Sequence, residues 1–139
     1  MINANIETLL KNDGKILVPP VGVSMWPMLK NRKDQVLVSV ITSPLKINDV
    51  VLFKRKDGKL VLHRIVKITD DGFIIRGDNC EHNEFVEKTQ ILGVLTGFYK
   101  KERYFDCNKN ALYKVYIIGC RCCYPFRRVI KAVYRRIFK

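Results

Sequence analysis

The sequence of this 139-residue chain is short of the residues that commonly hold metals or form disulfide frameworks. It has two histidines, and its five cysteines follow no regular spacing: Cys80, Cys107, Cys120, Cys122 and Cys123. A zinc site usually needs two ligand pairs at fixed spacing, and the Cys120-x-Cys122-Cys123 cluster has no second pair. We therefore expect no metal, no cofactor, and free thiols such as a reducing compartment maintains.

Long apolar runs are also missing. The nearest candidate, residues 111–126, is interrupted by Lys114, Arg121 and Pro125, whereas a membrane-spanning helix needs about 18 or more consecutive apolar residues. Residues 1–15 form a short amphipathic segment without the apolar core of a secretory signal. We expect neither a spanning helix nor a signal peptide or N-terminal membrane anchor.

Acidic residues are absent from the last part of the chain. From Cys107 to Lys139 there are nine Lys and Arg residues and no Asp or Glu, so this segment carries +9 of the net charge of +13. The remaining +4 belongs to residues 1–106. We therefore predict a domain over 1–106 and a basic tail over 107–139, and the tail rather than the domain is expected to meet an anionic surface.

The chain between these ends alternates short strands with tight turns. Apolar residues occupy alternate positions in Gln35–Ile41 and in Lys59–Thr69, which is the period of a half-buried strand. Asp57-Gly58 and Asp71-Gly72 are hairpin signals. Together they predict a mainly β, meander-rich domain. Further strands are expected at Ile16–Val18, Asp49–Lys54, Phe73–Arg76 and Gln90–Tyr99.

Helical periodicity is found at the two ends of the chain. Apolar residues between Ile2 and Leu10 predict a short helix that stops at Gly14. Apolar residues from Phe126 to Phe138 recur at helical intervals, and Pro125 suits a first turn. The opposite face is cationic: Arg127, Arg128, Lys131, Arg135, Arg136 and Lys139. Such a helix can bind an anionic membrane, or it can pack its apolar face on the β domain.

Three segments place a serine, a histidine and an aspartate in surroundings that suit an activated nucleophile. Ser24 lies in an apolar stretch, His63 lies in the middle of a strand, and Asp78 lies in a Gly-Asp-Asn turn. A serine hydroxyl needs a base that takes its proton, and a carboxylate can orient that base. The two hairpins would bring Asp78 back towards His63. The alternative is a structural histidine beside an ordinary turn.

These segments resemble the motifs of the signal peptidase and self-cleaving repressor superfamily of serine peptidases. The resemblance covers residues 15–98 and implies a coiled, mainly antiparallel β domain with its serine at the edge of a hydrophobic substrate groove. A histidine at the base position is similar to the archaeal and endoplasmic-reticulum branch of signal peptidases. The matching segments are Gly22-x-Ser24-Met25-x-Pro27-Met28-Leu29, Asn48–Phe53 with Leu62-His63-Arg64-Ile65-Val66, and Gly77-Asp78-Asn79.

The resemblance implies that Ser24 is the nucleophile, His63 the general base and Asp78 the third member. That branch has another acidic position after its third motif, which makes Glu84 (or Glu81) the alternative acid. Two positions before the nucleophile, signal peptidases usually have a small hydroxyl residue, whereas this chain has Gly22. The oxyanion would then be held by backbone N–H groups, above all that of Ser24. The expected groove and oxyanion residues are Gly22, Val23, Met25, Trp26 and Pro27.

The function implied is a serine endopeptidase that cleaves a signal or leader peptide through an acyl-enzyme. Its partners would be a peptide or preprotein substrate and an anionic membrane surface, and the protein would otherwise be cytoplasmic. The alternative is a catalytically inactive peptide-binding or membrane-adaptor protein with the same fold. Nucleic acid is not an expected partner, because no nucleic-acid module accompanies the basic tail. The Ala-Gly or Cys-Gly bond of a self-cleaving repressor is absent.

Overall fold

The computed structural model describes residues 2–20, 22, 24–26 and 28–137. The chain divides into two compact units, Met1–Lys109 and Asn110–Lys139. The first unit carries the strands in its described residues, and the second carries helices. The prediction of a mainly β chain with a helix at each end is therefore confirmed.

The β domain is built from one antiparallel sheet of eight strands. Adjacent strands follow the order β1-β2-β7-β3-β4-β5-β6, and β8 pairs with β7. The long β7 pairs with β2 along one side, whereas its other side pairs first with β3 and then with β8. The strands are β1 (Lys15–Val18), β2 (Gln35–Ser39), β3 (Val50–Lys54), β4 (Leu60–Ile68), β5 (Gly72–Arg76), β6 (Glu84–Glu87), β7 (Ile91–Lys100) and β8 (Arg103–Asp106).

The N-terminal helix, α1 (Ile2–Asp13), ends where the sequence predicts. Gly14 has φ +77°, a conformation that favours glycine, and its N–H donates to the Leu10 carbonyl at 3.0 Å. Leu10 is buried, and a Cβ added at Gly93 of β7 would lie 3.1 Å from Leu10 Cδ2. The glycine in β7 therefore lets the helix approach the sheet closely.

The apolar core of the β domain lies under strands β3 to β6. Alternate residues of each strand face it, as the period of two predicts. The cluster consists of Val51, Phe53, Ile65, Phe73, Ile75 and Val86. This core fixes the register of β4, the strand that carries His63.

The two hairpin signals behave differently. Asp57-Gly58 lies in the β3–β4 turn as predicted, with the Arg55 N–H donating to the Lys59 carbonyl at 2.8 Å and Gly58 at φ +88°. The β4–β5 turn is centred one residue earlier than predicted, on Asp70-Asp71, because the Thr69 N–H donates to the Gly72 carbonyl. Gly72 belongs to β5, where its missing side chain leaves room for the backbone of β6.

Three elements were not predicted from the sequence: β6, β8 and the helix α2 (Ala111–Cys123). The two strands are four residues long and have charged residues at both ends, so their alternation is too short to read. In α2, β-branched and aromatic residues are mixed with polar ones, and this hides the helical period. Its start is fixed by Asn110, whose side chain accepts the Tyr113 N–H at 3.0 Å.

The second unit continues from α2 through a short 3-10 turn, Tyr124–Phe126, into α3 (Arg127–Ile137). Pro125 lies in the first turn of the 3-10 segment, so the regular helix begins one residue after the predicted Phe126. The last two predicted residues, Phe138 and Lys139, lie outside the described residues. In the described part of the chain, no helix is both long and apolar enough to cross a bilayer.

Replacing Gly72 tests the close approach of β5 and β6. We expect Gly72→Ala to lower the free energy of unfolding by about 1–3 kcal/mol, because its Cβ would overlap the Val86 backbone oxygen, which cannot move alone. Gly97→Ala is the control, since its Cβ would meet the exposed, movable ring of Tyr104. Urea unfolding measures both, and an equal loss in the two variants would contradict this account.

Candidate active site

Ser24 lies in a tight turn that is anchored by buried side chains on its C-terminal side. The Leu29 N–H donates to the Met25 carbonyl at 3.0 Å, which is the hydrogen bond of a single helical turn. Met25, Met28 and Leu29 are buried, whereas Ser24 itself is half-buried. The apolar residues of this segment therefore fix the turn in the domain and leave the serine accessible.

The Gly77-Asp78-Asn79 turn holds the serine from the other side. The Asn79 N–H donates to the Ser24 carbonyl at 2.7 Å, and the Asp78 N–H lies 3.5 Å from the sulfur of Met25. Both bonds come from backbone groups, which have little freedom once the turn is formed. The third motif therefore positions the first through main-chain contacts.

Gly77 is the point at which the three motifs come closest together. A Cβ added there would lie 2.7 Å from the Ser24 carbonyl oxygen, 2.8 Å from Cys80 Sγ and 3.0 Å from His63 Nε2. These distances are shorter than, or at the limit of, real Cβ contacts, so the position has no room for a side chain. The absence of one lets the His63 ring and the Ser24 turn share the same small space.

His63 reaches this point from the middle of β4. It pairs with Val51 of β3, shares the face of Val61 and Ile65, and its ring lies 5.9 Å from the ring of Phe53. Its side chain is 7% exposed. An apolar strand environment therefore holds the imidazole with Nε2 beside Gly77.

The Asp78 carboxylate forms an ion pair with Arg64. Arg64 donates from Nε to Asp78 Oδ1 and from Nη2 to Asp78 Oδ2, each at 2.8 Å. Both side chains are buried, with 5% and 3% of their surfaces exposed. Since a buried charge requires a partner, each of the two residues explains the presence of the other.

Arg64 also binds the other two motifs, and the sequence interpretation missed it. Its Nη1 donates to the Asn48 carbonyl at 2.8 Å, and its Nη2 lies 3.3 Å from the sulfur of Met28. A charged residue inside the apolar segment Leu62–Val66 was the available signal, because arginine is almost never buried without an acidic partner.

The carboxylate found near the imidazole Nδ1 is that of Glu84, the alternative acid of the sequence analysis. Glu84 Oε2 lies 3.9 Å from His63 Nδ1, which is beyond hydrogen-bond distance. Within the described residues Nδ1 is buried and has no hydrogen-bond partner. Both Glu84 oxygens accept from Arg55, at 2.8 Å from Nε and 2.9 Å from Nη2.

These surroundings lower the pKa of His63. Burial away from water is the largest cause, since it disfavours the charged imidazolium. Glu84 opposes the shift, Arg55 adds to it, and Asp78 raises the pKa with the smallest effect of the four. The lowered pKa favours the neutral imidazole, which is the form that a general base needs.

Ser24 and His63 line one groove of about 840 Å³. Most of its wall is apolar. The wall is formed by residues of α1, β1, β2, β3 and the first half of β4, together with Pro19, Pro20 and Leu29. The charged groups among the described lining residues are Arg55 and Lys59. Cys80, whose sulfur is a neighbour of Gly77, also lines it. A groove of this size and character suits an extended, largely apolar peptide segment.

The other predicted groove residues are distributed unevenly. Gly22 and Met25 line the groove, whereas Trp26 lies outside the lining and is 51% exposed. Val23 and Pro27 lie outside the described residues.

Gly22 lies two residues before Ser24. It has φ +87°, and its N–H donates to the Asn31 side chain at 3.0 Å. A serine there would be strained in this conformation, and the Gly22 N–H already has an acceptor.

The helices of the second unit carry exposed apolar side chains beside basic ones. On α2 these are Leu112, Val115 and Ile118, on the 3-10 turn Phe126, and on α3 Val129, Val133 and Ile137. Of the predicted membrane-binding residues, Arg135 and Arg136 are exposed and Arg127 is half-buried. The side chains of Arg128 and Lys131 lie outside those that the structure describes. The α2 residues extend the apolar surface beyond the single helix that the sequence predicted.

Comparison with protein-family profiles and with curated proteins gives no match to this chain. The five cysteines form no disulfide, and among the described residues no three His, Cys, Asp or Glu side chains come together as a metal site. Function therefore has to be inferred from the chemistry of the groove.

Removing one partner of the Arg64–Asp78 pair tests whether Asp78 has a structural role. We expect Asp78→Asn to lower the free energy of unfolding by about 3–5 kcal/mol, because it leaves Arg64 charged and unpaired in the interior. Glu84→Gln affects a partly exposed pair and should cost less than about 1 kcal/mol. Denaturant unfolding measures both. The double variant Arg64→Met, Asp78→Leu should recover most of the loss, and failure to do so would contradict this interpretation.

Proposed function

We propose that this protein is a serine endopeptidase of the signal-peptidase type, with Ser24 as nucleophile and His63 as general base. The observation that carries the proposal is the meeting of the Ser24 carbonyl and His63 Nε2 at Gly77, on the wall of an apolar groove. Two further features support it: burial lowers the pKa of His63, which favours the neutral imidazole, and the Ser24 turn is held by the Asn79 N–H to Ser24 carbonyl and Leu29 N–H to Met25 carbonyl hydrogen bonds.

The reaction would follow the acyl-transfer scheme of serine peptidases. His63 Nε2 takes the hydroxyl proton while Ser24 Oγ forms a bond to the scissile carbonyl carbon. The tetrahedral intermediate then collapses, the carbon–nitrogen bond breaks, and the imidazolium returns the proton to the leaving amine. Water, deprotonated by the same imidazole, releases the acyl group and restores the Ser24 hydroxyl.

The carboxylate that supports His63 is proposed to be Glu84, and Asp78 is proposed to position the site. Glu84 Oε2 faces Nδ1, the nitrogen that a third member has to hold, whereas both Asp78 oxygens accept from Arg64. Asp78 then acts through the backbone of its own turn, which holds the Ser24 carbonyl. The substrate is proposed to be a signal or leader peptide, bound in extended form along the apolar groove.

Cleavage of a signal-peptide library in detergent, followed by mass spectrometry, tests the nucleophile and the base. Ser24→Ala and His63→Ala should each lower kcat/KM by at least about a thousandfold, because each removes a group on which the acyl transfer depends. His82→Ala is the matched control, since His82 is exposed and does not line the groove. Folded wild-type protein that cleaves nothing and resists a fluorophosphonate probe would favour the peptide-binding adaptor instead.

The pH dependence of the same assay follows from the pKa of His63. Because burial holds this pKa below its ordinary value of 6.5, kcat/KM should rise with pH with an acid midpoint below 6.5. A midpoint above 6.5 would contradict a buried, neutral imidazole as the base.

We also propose that the second unit binds an anionic membrane surface. Seven large apolar side chains are exposed among the described residues of this unit, and the segment from Cys107 to Lys139 contains no acidic residue. Apolar contact with the acyl boundary and attraction to anionic headgroups act together on such helices. The peptidase would then meet its substrate at the membrane.

Vesicle sedimentation tests the membrane proposal. The wild-type protein should bind vesicles of phosphatidylcholine with phosphatidylglycerol more tightly than vesicles of phosphatidylcholine alone, and added salt should weaken this binding. Changing Arg127, Arg135 and Arg136 to Gln should reduce binding roughly a hundredfold. The control changes three exposed lysines of the β domain to Gln: Lys46, Lys67 and Lys88. An equal loss in the control would show that net charge, not this surface, governs binding.

A further inference from the structure

The cationic groups of the groove lie together at the β3–β4 turn. Arg55 and Lys59 face each other across it, since the Arg55 N–H donates to the Lys59 carbonyl at 2.8 Å. Both residues line the groove, and no Asp or Glu is found among its described lining residues. The groove is therefore apolar along most of its length and positive at one place, which is a site for a carboxylate.

Arg55 lines this groove and also binds the carboxylate that lies near His63. Its guanidinium binds both oxygens of Glu84, and 39% of its side chain remains exposed. The Glu84 oxygen that accepts from Arg55 Nη2 is the same oxygen that lies 3.9 Å from His63 Nδ1. In the free protein, Arg55 therefore binds the Glu84 carboxylate, which is the group that could accept a hydrogen bond from the imidazole.

His63 Nδ1 is the group that this arrangement leaves without a partner. Among the described residues it is a buried side-chain nitrogen with no hydrogen bond. A buried polar atom without a partner is unfavourable, so a rearrangement that brings Glu84 within hydrogen-bond distance is favoured as soon as Arg55 has another carboxylate to bind. The distance to be closed is about 1 Å.

We propose that the groove selects peptides that carry an acidic side chain, which binds at Arg55 and Lys59, and that this contact releases Glu84 to hold His63 Nδ1. The inference rests on the proposed function, because it takes the groove to be the peptide site. Recognition of the substrate and orientation of the base are then one event: the acidic side chain replaces Glu84 at Arg55, and Glu84 accepts a hydrogen bond from the Nδ1–H of His63. Nε2 is left unprotonated towards Ser24.

The electrostatic surroundings of His63 agree with this exchange. The charged groups that act on it are Glu84 from β6, Arg55 from the β3–β4 turn, and Asp78 from the Gly-Asp-Asn turn. Asp78 is bound by Arg64 in the interior and does not depend on groove occupancy. Arg55 and Glu84, both partly exposed, are the members of this set that a peptide can reach or rearrange.

Capped peptide pools test the selection. Each pool has Glu or Gln fixed at one position and is otherwise varied, and kcat/KM is measured for the full-length protein in detergent. At one or two adjacent positions the Glu pool should be cleaved at least about tenfold faster than the Gln pool, as expected for a charge-assisted contact. Lys59→Gln should reduce this ratio several-fold, whereas Lys56→Gln should leave it unchanged, since Lys56 is in the same turn but does not line the groove.

Binding of the same pools to Ser24→Ala separates this inference from the peptidase proposal. Selective binding of the Glu pool to Ser24→Ala, without cleavage by the wild type, would support the acidic site and overturn the peptidase. Cleavage with equal rates for Glu and Gln at every position would overturn the acidic site and leave the peptidase standing. Loss of selectivity in Lys56→Gln to the same extent as in Lys59→Gln would also overturn it.

Nitrogen NMR of the His63 imidazole in Ser24→Ala reports the release of Glu84 directly. The Glu pool should fix the tautomer with the proton on Nδ1, and the Gln pool should not. Arg55→Gln should show that fixed tautomer without any peptide, because Glu84 is then free, and Glu84→Gln should abolish the response to the Glu pool. A tautomer that is the same in all four samples would overturn the coupling.

Discussion

The candidate site depends on the buried ion pair between Arg64 and Asp78. Through Arg64 it joins the Asn48 carbonyl, the Met28 sulfur and the Gly-Asp-Asn turn, and through that turn it reaches Ser24. The desolvation of two charges offsets most of their attraction, so such a pair contributes little net stability compared with an apolar replacement. What it contributes is a single arrangement of three segments that are far apart in the sequence.

Two adjacent residues of β4, His63 and Arg64, have different surroundings because successive side chains of a strand point to opposite faces. His63 faces the groove and the apolar core beneath it, whereas Arg64 points to the opposite face of the strand and meets Asp78. A slip of one residue in register would exchange these faces and remove both the base and the ion pair. The buried pairing of β3 and β4, from Val50–Arg64 to Lys54–Leu60, is therefore what makes the site possible.

The sequence was sufficient for the strands that bury one face and for the terminal helices, because period and turn residues are local signals. It also predicted that Ser24 and His63 act as nucleophile and base, and both residues line the groove. The sequence favoured Asp78 over Glu84 as the acid beside the imidazole. The order of residues in the chain does not reveal which of the two carboxylates forms an ion pair with an arginine. The partners Arg64 and Arg55 depend on contacts between distant strands, and β6, which carries Glu84, is too short to be recognised by its period.

Within the described part of the chain Nδ1 of His63 has no hydrogen-bond partner, and this has a consequence for the evolution of the protein. An apolar side chain of similar size at this position would remove a buried polar atom and fit between Phe53 and the groove wall, so it would favour folding by about 1–3 kcal/mol. Selection for folding alone would therefore eliminate this histidine. The proposed role of His63 as a general base would account for the presence of this locally unfavourable residue in the interior of β4.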